Sequence, residues 1–516
     1  KTNSVLSTGE WYKLGVLNDG AYLLNYNYLI GLSPVFNGAN LNSIKLYGNG
    51  GDMLPEINTD PRVDDLQENP MYEFDQNGNG KFDAGDYFIF YGDGSDEWEL
   101  TDSKYKRNIN IYSDTSFYFI TVNGSGAKRI QNRASLNSIP TNTYNSFDYR
   151  FDYQNEANNL LNSGRKWYGE LFDFTLNQSF PISIPNMDPN QNVCIEVNFV
   201  GQSTPYNTST KYSVRVNNQL FAGPITIAGS SAEYGIKARE KLSSNCILPS
   251  NNNLPENFNV TVQYDKNGNT GAKGYLDYIR VEARRFLTWT NSQLPFRRKD
   301  SDQGGIYEYQ LNSVPADMMV WDITNPINPI RQNINISGSN ASFRYQGNNG
   351  EIKEFIAFNT SLAPNPVSVR RIENQNLHSH QPRQLIVVTH PAFFSEAARF
   401  AEYKRNVRGL SVRLVKTSQI YNEFASGKQD LSAIRDYLKM LYDRAGGNED
   451  MMPRYLLLFG DGSYDNRNFT PGNTNFIPTF QSLNSLSPVN SYVSDDYFGF
   501  LDDDEGDELG NDFVRM

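Results

Sequence analysis

Near residue 384 the hydrophobic period of this chain changes, and that change limits what it can fold into. Upstream, short runs such as Tyr22-Leu23-Leu24, Ile44-Lys45-Leu46-Tyr47, Tyr87-Phe88-Ile89-Phe90-Tyr91 and Phe117-Tyr118-Phe119-Ile120 alternate with Gly, Asp and Asn turns, the pattern of all-β domains. Downstream, apolar strands alternate with stretches of helical period, the pattern of a parallel α/β sheet.

At 516 residues the chain is too long for one core, so it divides into several domains. Residues 1–150 read as an N-terminal β domain. Residues 151–290 read as a jelly-roll-like β-sandwich, with inside/outside alternation in Val193-Cys194-Ile195-Glu196-Val197-Asn198-Phe199 and Tyr275-Leu276-Asp277-Tyr278-Ile279-Arg280-Val281. Residues 291–365 either complete that sandwich or form a small separate β module. A Pro/Asn-rich linker is expected over 366–383, and residues 384–516 read as the first, truncated part of an α/β domain with a mainly parallel sheet.

Within that last part a strand over Leu385–Thr389, a helix N-capped by Ser395 and ending at Gly409, and a strand over 412–415 make a βαβ unit. A second helix starts at Asp430, carries Leu431, Ile434, Leu438 and Leu441 at helical spacing, and stops near Gly446. It leads into Tyr455–Phe459, a continuous apolar run that suits a strand covered on both faces. Gly460, Asp461 and Gly462 then fall at the carboxyl edge of the sheet, where α/β proteins place their sites. The segment through Ser463 fits neither a phosphate loop nor a serine nucleophile elbow. It reads as a strand-end turn, with Asp461 and Asp465 orienting loops or holding cations.

A net charge of -12 repels a phosphate backbone, so no nucleic-acid partner is expected. No apolar run reaches the roughly 18 to 20 residues of a transmembrane helix, and Lys1-Thr2-Asn3-Ser4 lacks a signal-peptide pattern. Cys194 and Cys246 are the only cysteines. With His378, His380 and His390 far downstream as the only imidazoles, each cysteine reads as a buried structural thiol, a bridge between the two being the alternative, and no nucleophile is assigned. His378 and His380, without a nearby third ligand, read as linker or surface histidines.

Asp75, Asn77, Asn79, Lys81, Asp83 and Asp86 fill positions 1, 3, 5, 7, 9 and 12 of a calcium loop, with Gly80 at position 6 and a backbone carbonyl expected from Lys81. Position 12 is Asp where Glu is usual. Strand-like flanks place this loop in a β setting, so structural calcium is expected there; the alternative is an Asn/Gly turn. Asp265, Asn267 and Asn269 begin similarly but read as a hairpin turn, and the acidic run 502–508 as a solvated loop.

Several ordered motifs carry a family resemblance: Ile420-Tyr421-Asn422-Glu423-Phe424, Asp430 with Ala433-Ile434-Arg435, the run 456–465, and Ser494-Asp495-Asp496-Tyr497-Phe498-Gly499. Upstream, Gly164-Arg165-Lys166-Trp167-Tyr168-Gly169-Glu170 and Val320-Trp321-Asp322-Ile323 agree with them. The chain resembles the gingipain-like cysteine peptidases, and among them the sortases of type IX secretion. The resemblance implies a caspase-like α/β domain whose catalytic His and Cys lie beyond Met516, so no catalytic residue is assigned and the chain alone is expected to be inactive. For the intact protein it implies removal of C-terminal sorting domains from secreted cargo and attachment of that cargo to cell-surface lipopolysaccharide. It also implies an outer-membrane secretion partner and a location at the cell surface. The alternative is a non-catalytic surface binding or scaffold protein with a degenerate peptidase domain.

Overall fold

The computed structural model describes residues 1–230, 234–367 and 369–505. In the N-terminal part a five-stranded sheet runs in the order Val369–Ile372, Trp11–Val16, Ser116–Val122, Ile44–Tyr47, Glu68–Asn69. It faces a three-stranded sheet of Gly20–Asn25, Tyr87–Gly92 and Tyr72–Phe74, and Leu14, Val16, Leu24, Ile44, Phe88, Phe90 and Ile120 fill the space between. Each such side chain contributes about 1.5–3 kcal/mol through burial. Trp11–Val16 is buried on both faces, because the C-terminal segment covers its outer side: the Lys13 ammonium sits over the Phe117 ring and bonds Asn422 Oδ1 and the Gly427 carbonyl.

The central sandwich has two antiparallel sheets. One runs Ser146–Gln154, Lys273–Phe286, Val193–Gln202, Arg239–Ile247, and the other Asn177–Ser183, Asn257–Asp265, Ser209–Val216, Gln219–Ala228. Ile195, Val197, Phe199, Tyr212, Val214, Val260, Val262, Ile279 and Val281 interdigitate between them, as strict alternation predicts. The turn after Asp265 is not a hairpin: the strands it joins lie in different sheets, and the Asn269 amide reaches across to Ser203 and Thr204. Cys194 and Cys246 are not free thiols. They face each other across neighbouring antiparallel strands, Cα atoms 4.0 Å apart, and are joined as a disulfide. Fifty-two residues separate them in sequence, and only the long-range pairing brings them together.

Residues 291–365 do not complete that sandwich. They build a second sheet pair, Leu294–Arg297, Glu354–Phe358, Met319–Asp322 and Ile330–Gln332 facing Gln303–Asn312, Asn340–Asn349 and Asn335–Ser337. The edges of both sheets come from the N-terminal part: Gln131–Arg133 pairs in parallel with Ile330–Gln332, and Asn142–Tyr144 with Gln303–Asn312. Where the sequence reads a linker over 366–383, the chain returns to the first sheet as Val369–Ile372 beside Trp11–Val16. It then packs Leu377–Ser379 against the C-terminal helices.

That last segment is a three-stranded parallel sheet with Leu385–Thr389 in the centre, Val412–Lys416 on one side and Tyr455–Phe459 on the other. The first helix is Phe394–Arg408, closed by Gly409 in the left-handed conformation; Ser395 lies inside its first turn and is not its cap. The helix Leu431–Ala445 is capped by Asp430, whose carboxylate accepts the Ser432 N–H, and ends at Gly446. Between them a helix over Thr417–Phe424, absent from the sequence reading, presents the motif residues to the core. No described helix is long and apolar enough to cross a membrane.

Candidate functional site

The parallel register aligns Thr389 with both Lys416 and Phe459. His390 and the Gly460-Asp461-Gly462 turn therefore meet at the carboxyl edge of the sheet, as the strand order predicts. Here the chain doubles back closely. A Cβ on Gly460 would lie 3.0 Å from Ile477, and one on Gly462 3.0 Å from the Ile477 carbonyl. The Asp461 carbonyl accepts the N–H groups of Phe476 and Ile477, and its carboxylate accepts the Thr474 hydroxyl at 2.8 Å. Asp465 is wholly buried and accepts the N–H groups of Phe469 at 3.0 Å and Thr470 at 2.6 Å. Both aspartates thus shape the loop over the sheet edge, which is the loop-orienting role among those read from sequence.

Among the described residues the edge has no nucleophile–base pair. His390 accepts the Ala392 N–H through Nδ1, and its ring packs against Phe476 and Phe393; burial lowers its pKa, holding it neutral. The Ser463 hydroxyl accepts the Asp465 N–H. Both sulfurs are in the disulfide of the central sandwich.

Several joints fix the α/β segment on the β modules, and three of them combine charged with aromatic side chains. In the first, Arg435 is fully buried, lies over the Tyr497 ring at 4.5 Å and donates to the carbonyls of Glu56 and Pro55. Beside it Asp430 accepts the Leu54 N–H at 2.9 Å, and burial raises its pKa to about 6 against the opposing pull of that bond and of Lys428. In the second, Arg165 bonds the Gln481 carbonyl at 2.6 Å, pairs with Glu56 and lies over Phe480, while Trp167 stacks on Tyr464 at 5.6 Å. Gly164 has φ +79°, and a Cβ there would stand 2.3 Å from the Asn484 carbonyl oxygen. Only glycine fits.

The third joint contains His378, which is 1% exposed and not a surface residue. Its Nδ1 lies 2.6 Å from Glu423 and its Nε2 2.8 Å from Asp64, with its ring stacked on Phe424. Glu423 also accepts the N–H groups of Leu377 and His378 and the Gln375 amide. Burial lowers the imidazole pKa, but the Glu423 bond and charge, with Asp65 and Asp64, outweigh it, and the net shift is upward. Asp65, His378 and Glu423 bring three metal-capable atoms together, which the sequence reading excluded. These atoms are engaged by protein groups: Asp65 accepts the Ser4 hydroxyl and the Val5 N–H. The arrangement is an ionic latch across two modules. His380 is half-buried beside the Tyr437 hydroxyl, 2.9 Å away, and burial pushes its pKa down to about 4.

The loop 75–86 lies between the paired strands Tyr72–Phe74 and Tyr87–Gly92, a β setting as read from sequence. Asp75 accepts the N–H groups of Gly78 at 2.7 Å and Gly80 at 2.9 Å, Asn77 and Asn79 both donate to Asp83, and buried Asp86 accepts from Gln76 and Asp83. Lys81 bridges to Asn40 at the loop's far side. At the acidic run, Asp503 pairs with Lys439 at 2.6 Å and Asp502 accepts the Tyr442 hydroxyl; Gly506, Asp507 and Glu508 lie outside the described residues.

A search of curated protein sequences gives no match. Residues 378–514 match Peptidase family C25. Among solved structures, the crystal structure of dimeric latent PorU from Porphyromonas gingivalis matches with TM-score 0.82 and 25% identity over 98% of this chain. The chain spans 47% of that protein. A family 35 carbohydrate binding module from Clostridium thermocellum aligns with 26% of the chain and 90% of its own length at 8% identity, but its TM-score of 0.15 carries no argument. From its first strand to the C-terminal sheet the chain has the fold of PorU, and its residues 378–514 are similar to the gingipain, or C25, peptidases.

Proposed function

We propose that this chain is the front portion of a gingipain-like cysteine endopeptidase that acts as a type IX secretion sortase. In this reading the intact protein removes the C-terminal sorting domain of secreted cargo and joins the cargo to lipopolysaccharide, working with an outer-membrane partner at the cell surface. A thiolate would attack the peptide carbonyl and a histidine would move the proton. The β modules and the joints would hold the sheet edge rigid while the second half of the domain supplies both groups. The observation that carries the reading is the PorU-like fold across 98% of the chain, joined to the C25 match over residues 378–514.

The open side of Tyr455–Phe459 supports it. Among the described residues this strand pairs only with Leu385–Thr389, and a cavity of about 780 Å³ lined by Leu438, Leu456, Leu458 and Phe498 runs beside it. An unpaired apolar strand edge is a place for another strand. The test is to assay the 516-residue chain and a form extended through the next part of its reading frame. The chain alone should show no thiol-dependent cleavage of peptides ending in a sorting domain, and the extended form should cleave them until alkylated. An extended form without a His/Cys pair or activity would favour the scaffold reading.

Calcium in loop 75–86 is part of the same proposal. The donors are hard oxygens, carboxylates of Asp75, Asp83 and Asp86 and amides of Asn77 and Asn79, with the Lys81 carbonyl, and this chemistry fits calcium. The N–H groups of Gly78 and Gly80 lower the Asp75 pKa, keeping it anionic. Bound calcium would neutralise the carboxylates and tie the two strands together.

A further inference from the structure

Away from the sheet edge, a cavity of about 320 Å³ opens where the three β modules meet. The N-terminal module contributes Asp19 and Trp98, the sandwich Tyr149, Arg150 and Arg285, and the second sheet pair Arg297 and Glu354. Three guanidiniums therefore face two carboxylates. Glu354 is shared by two of them: Arg150 Nη1 lies 3.0 Å from Oε1 and Arg297 Nε 2.8 Å from the same oxygen. Asp19 accepts the Gly94 N–H at 2.7 Å, and burial raises its pKa, which weakens it as a counter-charge.

Arg285 is the member without an ion pair among the described residues. It is 8% exposed and lies against the rings of Phe147 and Tyr149, 5.3 and 4.8 Å from their centroids. Among the described residues its one hydrogen bond runs from Nε to the Pro185 carbonyl, at 2.6 Å, and it makes no ion pair with a carboxylate. No hydrogen bond among the described residues engages its two terminal nitrogens, and the residue lines the cavity. Burial lowers its pKa, against the opposing pull of Tyr149 and of the Glu256 carboxylate. A planar guanidinium fixed between aromatic rings presents two parallel N–H groups, the geometry that grips a carboxylate in bidentate fashion. Trp98, over which the Arg150 guanidinium lies at 4.7 Å, adds an aromatic wall.

We propose that this three-module cavity is a binding site for a carboxylate group attached to a small apolar or aromatic body, with Arg285 as its anchor. The volume is at the low end for small-ligand pockets, roughly 300–1,000 Å³, and suits one amino-acid-sized unit. Either a free carboxylic acid or the carboxyl end of a peptide supplies that chemistry.

Calorimetric titration of the 516-residue chain separates these cases. N-acetyl-phenylalanine should bind saturably, and its amide should not. A Gly-Gly-Phe peptide that binds more tightly with a free carboxyl than N-acetyl-phenylalanine does identifies a chain terminus as the source; equal or weaker binding identifies a free acid. R285M should weaken binding at least tenfold while its circular dichroism stays unchanged, and W98A, on the peripheral hairpin Glu97–Thr101, should weaken it as well, which serves if R285M fails to fold. Absence of saturable binding by any carboxylate, equal binding of the amide, or unchanged binding by a folded R285M overturns the proposal.

Discussion

At His378 one imidazole holds two carboxylates from separate modules, and its raised pKa fixes the sign of its pH dependence. A group whose folded pKa lies above its unfolded value of about 6.5 contributes fully below that value. The contribution is lost as pH rises through the folded pKa. His378→Gln should therefore destabilise the chain by about 3–5 kcal/mol near pH 6, the cost of leaving a buried ion pair without one member. Urea melts at a series of pH values should show the gap to wild type narrowing in mild alkali; a gap that widens would remove His378 from this role. Gly164→Ala should cost about 1–3 kcal/mol, because its methyl would overlap the Asn484 carbonyl, and the loss should appear as faster proteolysis of the 481–487 segment. Little of this was legible in the sequence. Glu423 lies 45 residues from His378 and Asp64 314, so a histidine far in sequence from both partners and set among Asn376, Ser379 and His380 read as exposed.

Elements were more legible, wherever one local signal decided them. Asp430 and Gly446 bound the helix Leu431–Ala445 as read, and alternation located the sandwich strands because one face of each is buried. Thr417–Phe424 was missed: it has eight residues and starts at Lys416 without a Ser, Thr, Asp or Asn cap, so packing rather than local preference makes it helical. The strand pair Val193–Gln202 and Arg239–Ile247 carries the disulfide, and replacing both cysteines by serine should cost about 2–4 kcal/mol. Thermal melts of that variant and of the reduced wild type should agree; a variant as stable as the oxidised chain would show that the strands need no link. For loop 75–86, millimolar calcium should raise the melting temperature of wild type and leave Asp75→Ala unmoved. Equal shifts in both would place any bound calcium elsewhere.

For the whole molecule, fold class was legible and module boundaries were not, because pairing between distant strands leaves no local period to read. Residues 131–133 and 142–144 complete sheets built by residues 294–358, and residues 369–372 complete the first sheet. A chain starting at residue 384 would lose Leu54, Glu56 and Arg165 from the joints around Asp430 and Arg435 and should not give a dispersed NMR spectrum; a well-dispersed one would show the joints to be dispensable. The return of Val369–Ile372 to the side of Trp11–Val16 also dictates timing. A chain emerging amino end first from a ribosome or a translocon cannot close its first sheet until some 370 residues have appeared. The front of the protein must therefore wait, part-folded, for a strand that emerges only after both of the following β modules.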